Sequence, residues 1–195
     1  MMTEKREPVR PPFFWCVLGA LLAGLAACDL SPRTPDDPGG GSGDRLVNLS
    51  DPDSVLLQMQ VGLTDGRINS YMNAFTQDFV FHPDERDSLS LVQQDPTVFD
   101  NWTYQTEQQV MQVVFNQYSQ RSVSFANAES TVVVPGSVVV LDEEYDLTVD
   151  SELYQGLAEF QMRLTGNEWR IFQWIDRRRS GSDLSSWSLL KGENK

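Results

Sequence analysis

The sequence predicts one α+β domain, with helices in its first half and strands in its second. Two changes of pattern carry that expectation. From Pro52 to Gln120 apolar residues recur mostly at helical spacing, and after Arg121 the period falls to two and holds to Arg178. A third observation sets the domain's start near Leu46: the stretch from Asp29 to Arg45 is rich in proline and glycine and has no apolar period. About 150 residues follow it, enough for one hydrophobic core, and no repeat or second linker divides them.

The first helix begins at Ser50-Asp51-Pro52. Either polar side chain can cap free amides, and proline fits the first turn, where its missing N–H costs nothing. Val55, Leu56, Met59 and Leu63 form its stripe, and Asp65-Gly66 ends it. A second helix runs from Arg67 to about Thr76, with Ile68, Tyr71, Met72 and Phe75 on one face. Residues 78–83 read as a short strand stopped by Pro83. The segment from Asp84 to Asn101 is polar and irregular, with room for one short helix. The third helix spans about Thr103 to Gln120, with Val110, Val113, Val114 and Tyr118 as its stripe.

Four long strands follow, at residues 122–134, 137–149, 153–165 and 168–178, with turns at Pro135-Gly136 and Gly166-Asn167. In the third, Ala158, Phe160, Met162 and Leu164 alternate with Glu159, Gln161 and Arg163. One apolar and one polar face describe an antiparallel sheet packed on one side.

The formal net charge is −13. A surface this acidic repels phosphate backbones and anionic headgroups, which argues against nucleic acid as a partner. Lys5, Arg6 and Arg10 head an uncharged apolar run from Phe13 to Ala27. That run is shorter than the roughly 20 residues a membrane-spanning helix needs, and it suits a signal peptide, residues 1–27. Its end, Leu25-Ala26-Ala27-Cys28, resembles the lipobox of bacterial lipoproteins. The resemblance implies a diacylglycerol thioether on Cys28, cleavage before it, and a mature protein tethered by lipid through residues 28–45. The expected location is the cell envelope, with the domain facing the periplasm or the exterior. Asp29 resembles an inner-membrane retention signal of enteric bacteria, but the choice of membrane stays open. The second cysteine, Cys16, lies in the leader, so no disulfide is expected in the domain.

Two helices, the short strand DFVFHPD, a third helix and long strands ending in NEWRIFQWID resemble the NTF2-like (SnoaL-like, cystatin-like) superfamily. The likeness covers about Asp51 to Arg179 and omits residues 84–101 and the tail from Ser180. It implies three helices packed in a curved, mostly antiparallel sheet of four to six strands, with a pocket at the open end of the cone. That superfamily holds isomerases, cyclases and dehydratases beside many non-catalytic binders, so the fold alone does not choose.

His82, the single histidine, ends the first strand near the expected pocket mouth, where it is a candidate general base or ligand contact. Asp176 is the candidate carboxylate of the last strand; it shares a face with Phe172 and Trp174, and points outward if Trp169 and Ile171 face the helices. Tyr71, Trp102, Phe115, Tyr118 and Phe160 are candidate ligand-binding aromatics, each equally at home in a core. Asp142, Glu143, Glu144 and Asp146 read as a charged strand edge. They lack the turn and spacing of a calcium loop, so neither a metal nor a cofactor is expected. Arg177-Arg178-Arg179 is the one basic cluster, either solvated or a contact for an acidic partner. The tail residues Leu184, Trp187, Leu189 and Leu190 are expected to pack back on the domain or to join a homodimer contact. No acid/base pair of the superfamily's enzymes maps onto the chain. The leading expectation is therefore a non-catalytic domain binding a small apolar ligand or a protein partner. The alternatives are an isomerase- or cyclase-type enzyme using His82, and a purely structural module.

Replacing Cys28 with serine is expected to abolish acylation. Metabolic labelling with palmitate checks this, and a Cys28→Ser protein that still labels refutes the lipoprotein assignment.

Overall fold

The computed structural model describes residues 46–195, and only the backbone at residues 127–129. The leader, Cys28 and the linker lie outside the described residues. Helix α1, Pro52–Asp65, opens on a reciprocal cap: the Asp51 carboxylate accepts from the Ser54 N–H at 2.8 Å, and the Ser54 hydroxyl faces the Asp51 N–H. Gly66 ends it in the left-handed region, φ 65°, where a side chain would be strained. Helix α2, Ile68–Met72, follows at once. Strand β1, Phe75–His82, leads to helix α3, Glu85–Val92, and then to helix α4, Tyr104–Gln117. Strands β2 (Arg121–Val134), β3 (Val138–Val149), β4 (Glu152–Thr165) and β5 (Glu168–Arg178) precede the last helix, α5, Trp187–Glu193.

The five strands form one sheet in the order β1-β5-β4-β3-β2. All neighbours are antiparallel except β1 and β5, which run parallel. One face of the sheet packs on α1, α2 and α4. Leu141, Tyr145, Leu147, Ala158, Phe160, Met162 and Ile171 line that face and are buried against Val55, Met59, Leu63, Val110, Met111 and Val114 of the helices. This is the α+β architecture the periodicity predicts. Helix α3 occupies part of the polar segment, started by Asp84, whose side chain accepts from the Arg86 and Asp87 N–H groups.

The boundaries differ at three places, and each difference has a tertiary cause. The second helix stops at Met72, and β1 begins at Phe75 rather than Asp78. Phe75 satisfies a helical period with Tyr71 and Met72. Its backbone instead pairs with Ile171 across the parallel ladder, where the N–H of Ile171 donates to Ala74 O at 2.9 Å. Helix α4 ends at Gln117 because Tyr118 turns to extended backbone to enter β2. The acidic run of residues 142–146 is not a strand edge: β3 lies between β2 and β4, and Glu143 faces inward, 4% exposed.

A bulge in β5 matters most for function. Ile171 pairs with Met162 and Gln173 with Gln161, so Phe172 is an extra residue in the ladder. An extra residue shifts the alternation of everything after it. Ile171 and Trp174 therefore both point inward, and so does Asp176, 1% exposed. This corrects the outward Asp176 expected from strict alternation.

Gly62 lets α1 touch α2, because a Cβ there would overlap the Tyr71 backbone. Alanine in a helix normally gains up to about 1 kcal/mol over glycine. Here overpacking against backbone outweighs that gain, and Gly62→Ala is expected to cost about 1–3 kcal/mol in chemical denaturation.

Candidate functional site

The open end of the cone is built by four elements, and α5 fills it. Alternation along β1 turns Phe79 and Phe81 inward, and the bulge turns Trp174 and Asp176 inward from β5. Strand β3 contributes Tyr145. On α4, Glu107 sits three and four residues before Val110 and Met111, on the same face, so the apolar stripe carries a carboxylate into the core. Helix α5 seats Trp187, Leu190 and Lys191 on this floor, all 0% exposed.

Two buried carboxylates hold the arrangement. Asp176 accepts from the Tyr145 hydroxyl (2.7 Å), the Ser186 hydroxyl (2.7 Å), the Ser188 hydroxyl (2.6 Å) and the Ser188 N–H (2.8 Å). The Tyr145 oxygen in turn accepts from the Trp187 N–H at 2.7 Å. Burial raises the Asp176 pKa, while the hydrogen bonds from Ser188, Tyr145 and Ser186 and the nearby Lys191 charge oppose the rise. Glu107 accepts from the Tyr71 hydroxyl at 2.7 Å and the Trp102 indole N–H at 2.9 Å, and pairs with the Lys191 ammonium at 3.0 Å. Burial lowers the Lys191 pKa to about 8, with Glu107 and Asp176 pulling it back. A third carboxylate, Asp87 of α3, accepts from the Ser186 N–H (2.8 Å), lies 2.7 Å from the Ser186 hydroxyl, whose single proton it shares with Asp176, and pairs with Arg178.

Among the residues singled out in the sequence, Asp176, Tyr71, Trp102 and Phe160 meet in or beside this centre. Tyr71 and Trp102 serve Glu107, and Phe160 packs on Trp174 with ring centroids 5.1 Å apart. Phe115 lies deeper, edge-on to Tyr71 at 5.8 Å, and Tyr118 is the half-buried cap residue of α4, away from the centre. His82 is exposed, because alternation at the end of β1 turns Phe81 inward and His82 out. It does not meet Asp176. The three arginines are not a free basic cluster. Arg177 pairs with Glu159 at 2.8 Å, Arg178 with Asp87 and Asp84, and Arg179 with Asp146 at 3.1 Å and Glu144 at 3.5 Å. Sequence reasoning passed over Glu107 and Lys191. The signal was a charged residue in register with an apolar stripe: Glu107 with Val110 and Met111, Lys191 with Trp187 and Leu190.

An open concavity of about 500 Å³ lies between residues 83–86 and 175–182, with Asp176 among the residues that line it. No helix of the described residues is long and apolar enough to cross a membrane, and no group of three His, Cys, Asp or Glu among them is placed to hold a metal.

No family profile and no curated protein matches the sequence. Solved structures do match in fold. A proposed aromatic ring hydroxylase from Novosphingobium aromaticivorans superposes with TM-score 0.52 at 14% identity, over 72% of this chain and 92% of its own. A domain of unknown function with a cystatin-like fold from Nostoc punctiforme gives 0.50 at 10% identity, over 65% of this chain and 74% of its own. The Bdellovibrio bacteriovorus protein Bd1075 gives 0.51 at 10% identity over 67% of this chain, which spans 40% of that protein's length. The domain thus has the cystatin-like, NTF2-like cone fold. At these identities the likeness extends to fold alone, and the matched proteins include both a proposed enzyme and a domain without known function.

Removing one partner of a buried ion pair typically costs about 3–5 kcal/mol. Glu107→Ala also strands the Tyr71 hydroxyl and the Trp102 indole, so a loss of at least that order is expected in urea titration. His82→Ala, at an exposed strand end, is expected to change stability by less than about 0.5 kcal/mol. Glu143 yields a pH prediction. Burial, with Asp53 and Asp142 nearby, raises its pKa from 4.5 to about 7. Between those values the folded protein holds a proton that the unfolded chain has released, so stability falls as pH rises through that window. Glu143→Gln is expected to flatten this part of the profile and to raise Tm above pH 7. An unchanged profile refutes the assignment.

Proposed function

We propose that the chain is a lipid-anchored protein of the cell envelope whose NTF2-like domain is a non-catalytic binding module for a small ligand or a protein partner. One observation supports a non-catalytic domain over the enzyme. The room that cone-fold enzymes keep for substrate is occupied by α5, and the two carboxylates that α5 covers, Asp176 and Glu107, are committed to residues of this chain. A catalytic acid or base needs a free position beside the substrate proton, and α5 occupies that position here. A ligand entering the cone has to displace α5. The anchor reading draws on the leader and on Leu25-Ala26-Ala27-Cys28.

The isomerase- or cyclase-type alternative draws on Asp176 rather than His82, since Asp176 is the buried carboxylate whose pKa burial raises. It too needs α5 to leave.

Native mass spectrometry of the full chain released from detergent tests the proposal, because it reads bound ligand and oligomeric state together. A co-purifying small molecule or a stable partner is the expected result. A bare monomer that turns over a ketosteroid- or polyketide-like substrate would overturn it in favour of the enzyme.

A further inference from the structure

Lys191 sits among aromatic rings and a carboxylate at the open end of the cone. Its Nζ lies 3.5 Å from the centroid of the Trp174 ring, 3.8 Å from that of Phe81 and 5.7 Å from that of Trp187. The carboxylate of Glu107 is 3.0 Å away, so the ammonium is held between a carboxylate and ring faces. Such a cage selects cations, because the ring quadrupole presents its negative face and the site excludes water. Of the four groups only Trp187 belongs to α5. Phe81, Trp174 and Glu107 are part of the cone wall, and they remain in place without the helix.

The charge balance of the wall points the same way. Glu107 and Asp176 are buried at 0% and 1% exposure, and Lys191 is the one fully buried cation among the described residues. A carboxylate enclosed there without a cation is strongly disfavoured, so whatever takes the place of Lys191 and closes the site again has to carry a positive charge. Helix α5 is also a small structure to carry that cation. It has seven residues, too few to persist as a helix without its docking contacts, and it is joined to β5 by the polar segment from Arg179 to Ser186.

We propose that the cone is an ammonium-binding pocket occupied in cis by Lys191, and that its ligand in trans is a primary alkylammonium, which enters as α5 lifts away. The inference builds on the binding-module reading and names the ligand class. The methylene stem of such a ligand takes the apolar wall, and its head takes Glu107, Phe81 and Trp174. Occupancy by Lys191 lowers the apparent affinity of the unmodified chain by the fraction of time α5 stays docked.

Deleting the cis cation tests this directly. In the full chain in detergent, Lys191→Gly removes four methylenes and the ammonium, and n-butylammonium chloride, which carries the same atoms, is the probe. We expect a saturable rise in Tm; at ten times the dissociation constant the folding equilibrium gains roughly elevenfold. Sodium chloride and n-butanol at the same concentrations should give no such rise, and Glu107→Gln in the same background should remove it. Equal responses to n-butanol and n-butylammonium would show a merely apolar hole and overturn the proposal, as would no response to either. If Lys191→Gly does not fold, hydrogen exchange on the unmodified chain decides. Butylammonium, and neither n-butanol nor sodium, is expected to speed exchange of the α5 amides, and equal rates in all three overturn the proposal. N-acetyl-lysine amide run beside butylammonium names the source: a response to both assigns lysine side chains as well as free amines, and a response to butylammonium alone assigns small amines. These failures differ from failure of the binding module, which native mass spectrometry reports through any other bound ligand.

Discussion

Asp176 ties the last strand, the middle of the sheet and the C-terminal helix to one point. Four donors from three segments converge on its two oxygens: Tyr145 from β3, Ser186 from the connection, and Ser188 twice from α5. Hydrogen bonds to a charged acceptor are worth roughly 1.5–3 kcal/mol each, more than ordinary ones, and desolvation of the carboxylate offsets part of that sum. The fixed position of α5 depends on this cluster. With α5 fixed, Trp187 meets Trp174 edge-on at 4.9 Å and Lys191 reaches Glu107. Without it the open end of the cone would expose two carboxylates and a floor of aromatic rings.

The cluster in turn depends on one extra residue. Phe172 breaks the alternation of β5, so that the strand presents Ile171 to the helices and, three residues later, Trp174 and Asp176 to the same side. A regular strand would turn Trp174 and Asp176 to solvent and leave α5 nothing to dock on. Bulges recur where a strand has to re-aim side chains next to a site. The parallel pairing of β1 with β5 adds a second control at the same place, because it sets Phe81 opposite Trp174. Their rings meet at 5.3 Å, forming the cage wall on which the ammonium rests.

The charges around the cone divide into two kinds. Those on the outer face of the sheet pair across strands, as Arg177 does with Glu159 and Arg179 with Asp146, and each such exposed pair is worth at most about 1 kcal/mol. Those inside the cone are few, fully desolvated and mutually dependent. Tyr71 and Trp102, which look like ordinary core aromatics, have polar ends that hold Glu107 in place, and Glu107 holds Lys191. Aromatic residues that bury their rings and use their polar atoms in this way are doing two jobs, and periodicity reports only the first.

Much of the architecture was legible in the chain. The switch from helical to alternating period, the cap at Ser50 or Asp51, and the turns at Gly136 and Gly166 are local properties, written in side-chain size and backbone preference, and they predict α+β with a one-sided sheet. The Pro- and Gly-rich stretch and the residues ending at Cys28 are equally local, so leader and tether are expectations of the sequence alone. What the sequence by itself determined is thus three helices, five strands and their order; helix α5 was not among them. The tertiary structure decided where Phe75 and Asp176 point, that His82 faces solvent, and that the C-terminal helix closes the cone. The reason is physical. A bulge is one residue in excess over a partner strand, and neither strand records the pairing on its own. Glu107 and Lys191 lie 84 positions apart in the chain, and their attraction exists only where folding removes the water between them.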